Sequence, residues 1–158
     1  MFNLFNKPDN QDILKSKLYD ENTFYYQFIR DLENCKKEVI IESPFITTAR
    51  MDVLAPLFTR LIKRGVKIYV KTRDPKEHTD TYEQQSEAEI HNFEVIGIQT
   101  LICTGNHHRK LAIIDRNILW EGSLNILSQT KSREIMRRME SQTLAMEMFK
   151  FLKYDQNL

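Results

Sequence analysis

The chain has 158 residues with a formal net charge of +1, and 41% of the residues are hydrophobic while 28% are charged. This length and composition are typical of one soluble globular domain with its own hydrophobic core. The near-zero charge excludes a protein whose whole surface attracts nucleic acid, so any such binding requires a local basic patch.

The amino-terminal residues contain no apolar leader, and no later stretch reaches transmembrane length. We therefore expect a cytoplasmic protein without a membrane element. Cys35 and Cys103 are far apart in sequence and lack metal-ligand spacing, so we expect free thiols in a reducing compartment. His78 is expected to be a solvated loop residue, and His91 has no partner at ligand spacing. No metal site is predicted.

The first part of the chain predicts a tail followed by an amphipathic helix. Residues 1–18 are mixed and polar, and we predict a tail or docking segment ahead of a single domain at residues 19–158. Residues 22–36 repeat apolar side chains at helical spacing, namely Phe24, Phe28, Ile29 and Leu32. Aromatic side chains here could stack on nucleic-acid bases, but the helical spacing favours packing in the core.

A strand–helix–strand unit follows. Residues 37–43 and 66–71 have the composition of buried strands, and residues 51–64 form an amphipathic helix that Gly65 ends. Because a helix links the two strands, we expect them to be parallel in an α/β sheet.

The next stretch is polar before the chain returns to the sheet. Residues 72–81 predict a loop at the rim of a site, where Arg73 or Lys76 could contact a substrate. Residues 82–93 predict a polar helix, and residues 98–103 predict another strand.

Two short apolar runs then surround an Asp-Arg-Asn turn. Residues 110–114 and 118–121 therefore predict a β-hairpin. Residues two apart share a face of a strand, so His108 and Lys110 point the same way while Asp115 lies on the opposite face. We expect His108 and Lys110 to face a ligand and Asp115 to brace the turn.

The hairpin leads into a tight Gly-Ser-Leu-Asn exit. Gly122 supplies backbone freedom, and Ser123 and Asn125 can return a hydroxyl and an amide to the same pocket. A histidine, a lysine, a hydroxyl and an amide together are a phosphate-handling set, because lysine is a point cation for a phosphoryl oxygen. Histidine can act as nucleophile or as general acid and base near neutral pH. Each residue alone could also have a purely structural role.

The last part of the chain adds an outer strand and a helix. Residues 134–139 predict an edge strand after a polar loop at residues 127–133. Residues 141–154 predict a helix that buries Leu144, Met148, Phe151 and Leu152. Basic residues gather around the histidine and lysine, which makes Arg109, Lys131 and Arg133 candidates for binding nucleic-acid phosphates. The same patch includes Arg116, Arg137 and Arg138, and a solvated charged face is the alternative.

From His108 to Asn125 the pattern is H-x-K-x4-D-x6-G-S-x-N, which resembles the HKD motif of the phospholipase D superfamily. The segment at residues 42–48, the strand at residues 65–70 and the carboxy-terminal strand and helix are also similar to the family's order of elements. The resemblance implies an α/β fold, namely an α/β/α sandwich with a mixed, largely parallel sheet. The chain has one such motif rather than two, so it resembles the single-motif nucleases of the family, in which a homodimer builds one site.

The resemblance also implies a mechanism. His108 of one subunit would attack phosphorus to form a phosphohistidine, and His108 of the partner would protonate the leaving oxygen. Lys110 and Asn125 would hold the non-bridging oxygens, Ser123 would support the pocket, and Glu134 would orient the histidine. Neither a metal nor a cofactor is required.

The sequence thus predicts a metal-independent nuclease, with DNA favoured over RNA as substrate and a homodimer as the active form. Related domains occur beside helicase-type ATPases, so such an ATPase is a candidate partner. The alternatives are a catalytically silent nucleic-acid-binding or targeting module of the same fold, and a phospholipid phosphodiesterase. The last would require an apolar entry surface, which the sequence does not identify.

Overall fold

A computed structural model of the protein describes residues 15–128 and 131–158. Within these residues the strands are β1 (Lys15–Asp20), β2 (Glu38–Glu42), β3 (Lys67–Arg73), β4 (Gln99–Cys103), β5 (Leu111–Ile114), β6 (Ile118–Gly122) and β7 (Ile135–Glu140). The helices are α1 (Phe24–Glu33), α2 (Thr48–Lys63), α3 (Asp80–Ile96), α4 (Gln142–Phe151) and α5 (Tyr154–Asn157), and a single 3₁₀ turn covers Pro75–Glu77.

The described strands form one mixed sheet in the order β1-β7-β6-β5-β2-β3-β4. The pairs β2–β3 and β3–β4 are parallel, as the helical connections between them require. The pairs β1–β7, β7–β6, β6–β5 and β5–β2 are antiparallel. The predicted α/β fold with a mixed sheet is confirmed, although parallel pairing is confined to three neighbouring strands and covers less of the sheet than the sequence suggested.

The sheet separates two hydrophobic layers, because successive residues of a strand point to opposite faces. The larger layer packs α1, α2 and α3 against side chains such as Val39, Val70 and Ala112. We call this the closed face of the sheet. The smaller layer packs α4 and Tyr154 against side chains such as Ile40 and Ile113. We call this the open face, because one long helix covers it.

A buried polar cluster on the closed face joins α1 to β6 and β7. Asp31 on α1 is 5% exposed, and its carboxylate accepts hydrogen bonds from Trp120 Nε1 at 2.9 Å and from Arg138 Nε at 2.7 Å. Phe24 and Phe28 of the predicted aromatic stripe pack against the same tryptophan ring, with centroids 5.0 and 6.2 Å away. The core position of these two phenylalanines is therefore confirmed.

Three features at the ends of the chain differ from the predictions. β7, predicted to be an edge or outer strand, is the second strand from the edge, between β6 and β1, because residues 15–20 pair with it. Phe151 was predicted to be buried, but it is 77% exposed, because α4 packs Ala145, Phe149 and the following Leu152 against the sheet and Phe151 lies on a different side of the helix. Residues 15–18 of the predicted tail belong to β1, and residues 1–14 lie outside the described residues.

Candidate active site

The β5–β6 hairpin is held in place by Asp115 at its turn. Asp115 and Arg116 both have positive φ, at 52° and 51°, a conformation that Asp tolerates better than most residues. The Asp115 carboxylate accepts hydrogen bonds from the backbone N–H groups of Lys36, Lys37 and Glu38 at 2.9, 2.7 and 3.1 Å. Burial alone would raise the pKa of Asp115, but these donors outweigh it and hold the pKa below its ordinary value. Asp115 thus braces the hairpin from the far end.

His108 and Lys110 lie together just before β5. Lys110 Nζ is 2.8 Å from His108 Nδ1 and donates to the backbone oxygen of His108, also at 2.8 Å. Partial burial, followed by the charges of Lys110 and Arg73, lowers the pKa of His108 below its ordinary value. This shift favours the neutral imidazole, whose unprotonated ring nitrogen is the form that a nucleophile requires.

The Gly-Ser turn after β6 is built into the sheet. A Cβ at Gly122 would lie 2.1 Å from the backbone oxygen of Ile135, so no larger residue fits there. Ser123 N donates to that same oxygen at 2.9 Å, and Ile135 N donates to Ser123 Oγ at 3.0 Å. The turn is thereby fixed to β7. The Ser123 hydroxyl is occupied by the backbone rather than free in the site.

Asn125 and Glu134 follow the hairpin, and neither is among the residues that line the His108 groove. The Asn125 Oδ1 atom is buried and has no hydrogen-bond partner among the residues that the structure describes. Glu134 accepts a hydrogen bond from Ser132 Oγ at 2.6 Å. Its charge raises the pKa of Lys110, although burial has the larger effect and keeps that pKa below the ordinary value. Glu134 therefore acts electrostatically on Lys110 in this arrangement.

An open groove of about 810 Å³ runs from the His108 segment along the open face of the sheet. Its polar end is lined by His108, Arg109, Lys110, Gly122 and Ser123. Its far end is apolar and is lined by Leu18, Ile135, Met148 and Phe151. Leu18, Ile135 and Phe151 are 55%, 61% and 77% exposed, and we call these three residues the apolar rim. An apolar surface thus continues directly from the polar site.

Three of the predicted basic residues remain available at the surface. Arg109, Lys131 and Arg133 are exposed, and Arg109 lines the groove. Arg137 lines it too and donates to Ser16 Oγ at 2.7 Å.

Two other members of the predicted basic patch are engaged elsewhere. Arg116 pairs with Glu38 at the distal turn of the hairpin. Arg138 pairs with the buried Asp31 and is 15% exposed. Both therefore contribute to the fold, and the basic patch around the site is smaller than the sequence predicts.

A buried polar contact behind His108 was not predicted. Glu42 is fully buried at the end of β2, and its Oε2 atom lies 3.1 Å from Nε2 of His107. The hydroxyl of Tyr154 donates to the other carboxylate oxygen. Burial opposes ionisation of Glu42, but His107 and Tyr154 outweigh it and lower the pKa. His107, which directly precedes the candidate nucleophile His108, is thus held in place by its contact with Glu42.

Arg73 and Glu77 hold the loop that leads to His108. Arg73 Nε donates to the backbone oxygen of His107 at 3.0 Å. The Glu77 carboxylate accepts from Gly105 N at 2.7 Å and from Asn106 N at 3.0 Å. The sequence placed Arg73 at the rim of a site, and the structure places it against the loop that leads to His108.

Within residues 15–128 and 131–158, no group of three or more His, Cys, Asp or Glu side chains is arranged to hold a metal ion. In the same part of the chain, no helix is long and apolar enough to cross a membrane. Both cysteines are free, and burial raises the pKa of the Cys35 thiol to about 12.

The fold and the hairpin together define a phospholipase D-like domain. The family model described as "Cardiolipin synthase, PLD-like domain" matches residues 28–155. The chain belongs to this family.

Two solved structures of similar length have the same fold. Nuc from Salmonella typhimurium, a phospholipase D family member, superposes with a TM-score of 0.73 at 16% identity, over 91% of this chain and 95% of that one. NucT from Helicobacter pylori superposes with a TM-score of 0.65 at 17% identity, over 87% and 92%. TrmBL2, an archaeal chromatin protein with a described mode of DNA binding, superposes at 0.60 with 12% identity, over 94% and 55%. No curated protein sequence matches the chain.

Proposed function

We propose that the protein is a metal-independent phosphodiesterase that cleaves nucleic acid through a phosphohistidine intermediate. The observation that carries the proposal is the His108–Lys110 pair in an open groove, where Lys110 Nζ lies 2.8 Å from Nδ1 of His108. The phospholipase D-like fold supports it, because the family model matches residues 28–155.

In the proposed first step, a ring nitrogen of His108 attacks phosphorus. A P–N bond forms as the P–O bond to the leaving oxygen breaks, and a second histidine donates a proton to that oxygen. Water then attacks phosphorus while the second histidine accepts its proton, and the P–N bond breaks to restore free His108. Lys110, with the Asn125 amide, would stabilise the charge on the non-bridging oxygens. Ser123 and Glu134 would act by holding the turn and by tuning Lys110.

The second histidine would come from another copy of the chain. Each chain has a single HKD motif, so one copy provides half of the proposed set. The apolar rim lies beside the site, and exposed apolar surface that is continuous with a groove often marks an interface. A two-fold dimer that buries the rim against itself would bring the two His108 residues together.

Nucleic acid is the proposed substrate, with DNA favoured over RNA. The exposed Arg109, Lys131 and Arg133 could contact backbone phosphates, an interaction that weakens with salt. The similarity in fold to TrmBL2, which binds DNA, supports the same class of ligand. A cytoplasmic location and a helicase-type ATPase partner stay parts of the proposal, the second to be tested by co-purification.

A phospholipid phosphodiesterase is the second candidate, because the apolar rim provides an entry surface of the kind that lipid chains need. A silent binding module of the same fold is the third. Hydrolysis of phospholipid vesicles, with no cleavage of nucleic acid, would select the second candidate. Salt-sensitive binding of nucleic acid without turnover would select the third.

The deciding experiment measures cleavage of labelled single- and double-stranded DNA and RNA in excess EDTA. We expect turnover by the wild type and a loss of about a thousandfold or more in His108→Ala. His91→Ala is the matched control, because His91 is exposed on α3 and should leave the rate unchanged. Equal rates for wild type and His108→Ala would refute the proposed mechanism.

A further inference from the structure

An aromatic cluster lies at the carboxyl ends of β2 and β3. The ring centroids of Phe45 and His78 are 4.8 Å apart with an interplanar angle of 31°, so the two rings partly stack. The Tyr82 ring meets Phe45 edge-on at 5.5 Å, in the first turn of α3. Tyr82 is 40% exposed, and Phe45 and His78 are half-buried. We call these three residues the aromatic subsite.

Arg73 connects this cluster to the loop that leads to His108. Its guanidinium lies over the Phe45 ring, 5.1 Å from the centroid, while its Nε donates to the backbone oxygen of His107. The terminal nitrogens of Arg73 make no hydrogen bond to other described residues, which leaves them free for a phosphate. A phosphate at His108 and a base at Tyr82 would therefore have a cation between them.

The loop that carries Phe45 is fixed to the segment after Asn125. Ser43 Oγ donates to the backbone oxygen of Phe45 at 3.0 Å and accepts from Leu127 N at 3.1 Å. Thr47 N donates to the backbone oxygen of Leu127 at 3.0 Å. The cluster is thus preorganised by hydrogen bonds to the chain segment that directly follows Asn125.

The surface beyond Tyr82 is unfavourable for a second phosphate backbone. Along α3, Glu83 is half-buried, and Glu87 and Glu94 are exposed. These carboxylates would repel the phosphates of a second strand. A single unpaired base could stack on Tyr82 without bringing a second phosphate backbone near them. Burial and the charge of Arg73 lower the pKa of His78, so this ring adds no compensating positive charge at neutral pH.

We propose that the aromatic subsite stacks an unpaired base of the substrate, so that the site takes single-stranded nucleic acid in preference to duplex. Stacking requires an unpaired base face, which a duplex does not offer to a side chain at its surface. The inference rests on the proposed function, because it assigns the substrate class of the same site.

The test measures binding in the His108→Ala background, so that it does not depend on turnover. The probes are a fluorescently labelled single-stranded DNA, the RNA of the same sequence and the annealed DNA duplex, and the readout is anisotropy. We expect single strands to bind more tightly than duplex, and Tyr82→Ala to weaken single-strand binding about tenfold. Tyr82→Phe retains a ring and should stay within about twofold of the parent, whereas Tyr82→Leu should behave like the alanine variant.

Tyr26→Ala is the matched control, because Tyr26 is a 72% exposed tyrosine on α1, away from the cluster. Equal binding of single strands by Tyr82→Ala and its parent, or equal binding of duplex and single strands, would overturn the subsite. Cleavage by the wild type is then measured on the same probes. If the binding pattern holds but nothing is cleaved, the nuclease proposal fails and the subsite stands. If the wild type cleaves the probes but the binding pattern is absent, the nuclease proposal stands and the subsite fails.

Discussion

The two faces of the sheet differ in the helices that cover them and in the polar groups that they carry. The closed face is covered by α1, α2 and α3, and its buried carboxylate, Asp31, is fully paired with Trp120 and Arg138. The open face is covered mainly by α4, and it ends in a groove beside His108. The larger hydrophobic layer and the Asp31 cluster thus lie on the closed face, and the candidate site lies on the open face. Substitutions on the two faces should affect different measurements.

The largest effect is expected on the closed face. Asp31→Ala would leave the indole N–H of Trp120 without its acceptor and would remove the buried partner of Arg138, which keeps only its contact with Glu140. Breaking a buried charge pair in this way costs about 3–5 kcal/mol of unfolding free energy. Urea denaturation measures this loss, and Asp52→Ala, at an exposed site on α2, is the control. A loss below about 1 kcal/mol would mean that the cluster does not stabilise this face.

A smaller loss of stability is expected at the hairpin turn. Asp115→Ala removes the acceptor of three backbone N–H groups, which should cost about 1–3 kcal/mol. The pKa of Asp115 is below 3.8 in the folded protein, so its contribution is present above that pH and is lost as the pH falls through the folded pKa. The gap between wild type and variant in urea denaturation should therefore narrow in acid. A gap that is the same at pH 7 and pH 2 would contradict this role.

On the open face, the expected effect is on association. If a second copy covers the apolar rim, burying Phe151 contributes about 1.5–3 kcal/mol, so Phe151→Ser should weaken dimerisation at least about tenfold. Sedimentation equilibrium measures this change, and Val95→Ser, at a 73% exposed residue on α3, is the control. A wild type that is monomeric at every concentration yet fully active would remove the shared-site proposal. The unfolding free energy of the isolated chain should change little.

The smallest effect concerns protonation. The pKa of His108 lies below 6.5 because of partial burial first and the charge of Lys110 second. Removing that charge in Lys110→Met should raise the pKa of His108, as followed by its imidazole resonances in an NMR titration. The acidic limb of the cleavage rate in wild type should accordingly fall below pH 6.5. An unchanged or lower pKa in the variant would show that Lys110 does not act on the ring.

The sequence predicted those parts of the fold that have a local pattern. The hairpin and the main helices follow from apolar periodicity, and the mixed α/β class follows from their order. β1 was missed because residues 15–20 read KSKLYD, a polar run that becomes a strand only by pairing with β7. Phe151 belongs to a run of apolar residues around α4, and periodicity could not show that Ala145, Phe149 and Leu152 form the buried side instead.

The candidate site was predictable to the extent that it lies in one stretch. His108, Lys110, Gly122 and Ser123 share a motif, and they line one groove. Glu42, His107 and Tyr154 could not be associated from sequence, because they come from three distant segments that meet only through the sheet and the start of α5. The aromatic subsite was missed for the same reason, since Phe45 and Tyr82 follow different strands.

The hydrogen bond from Tyr154 to Glu42 has a consequence for how the protein is made. A chain still held in the ribosome would lack this tyrosine and β7 until synthesis of the domain is nearly complete. Until then, Glu42 and His107 would have no cover from α5, and the Gly122–Ser123 turn would have no Ile135 to bind. The candidate site would therefore reach its folded geometry only after Tyr154 has been added to the chain.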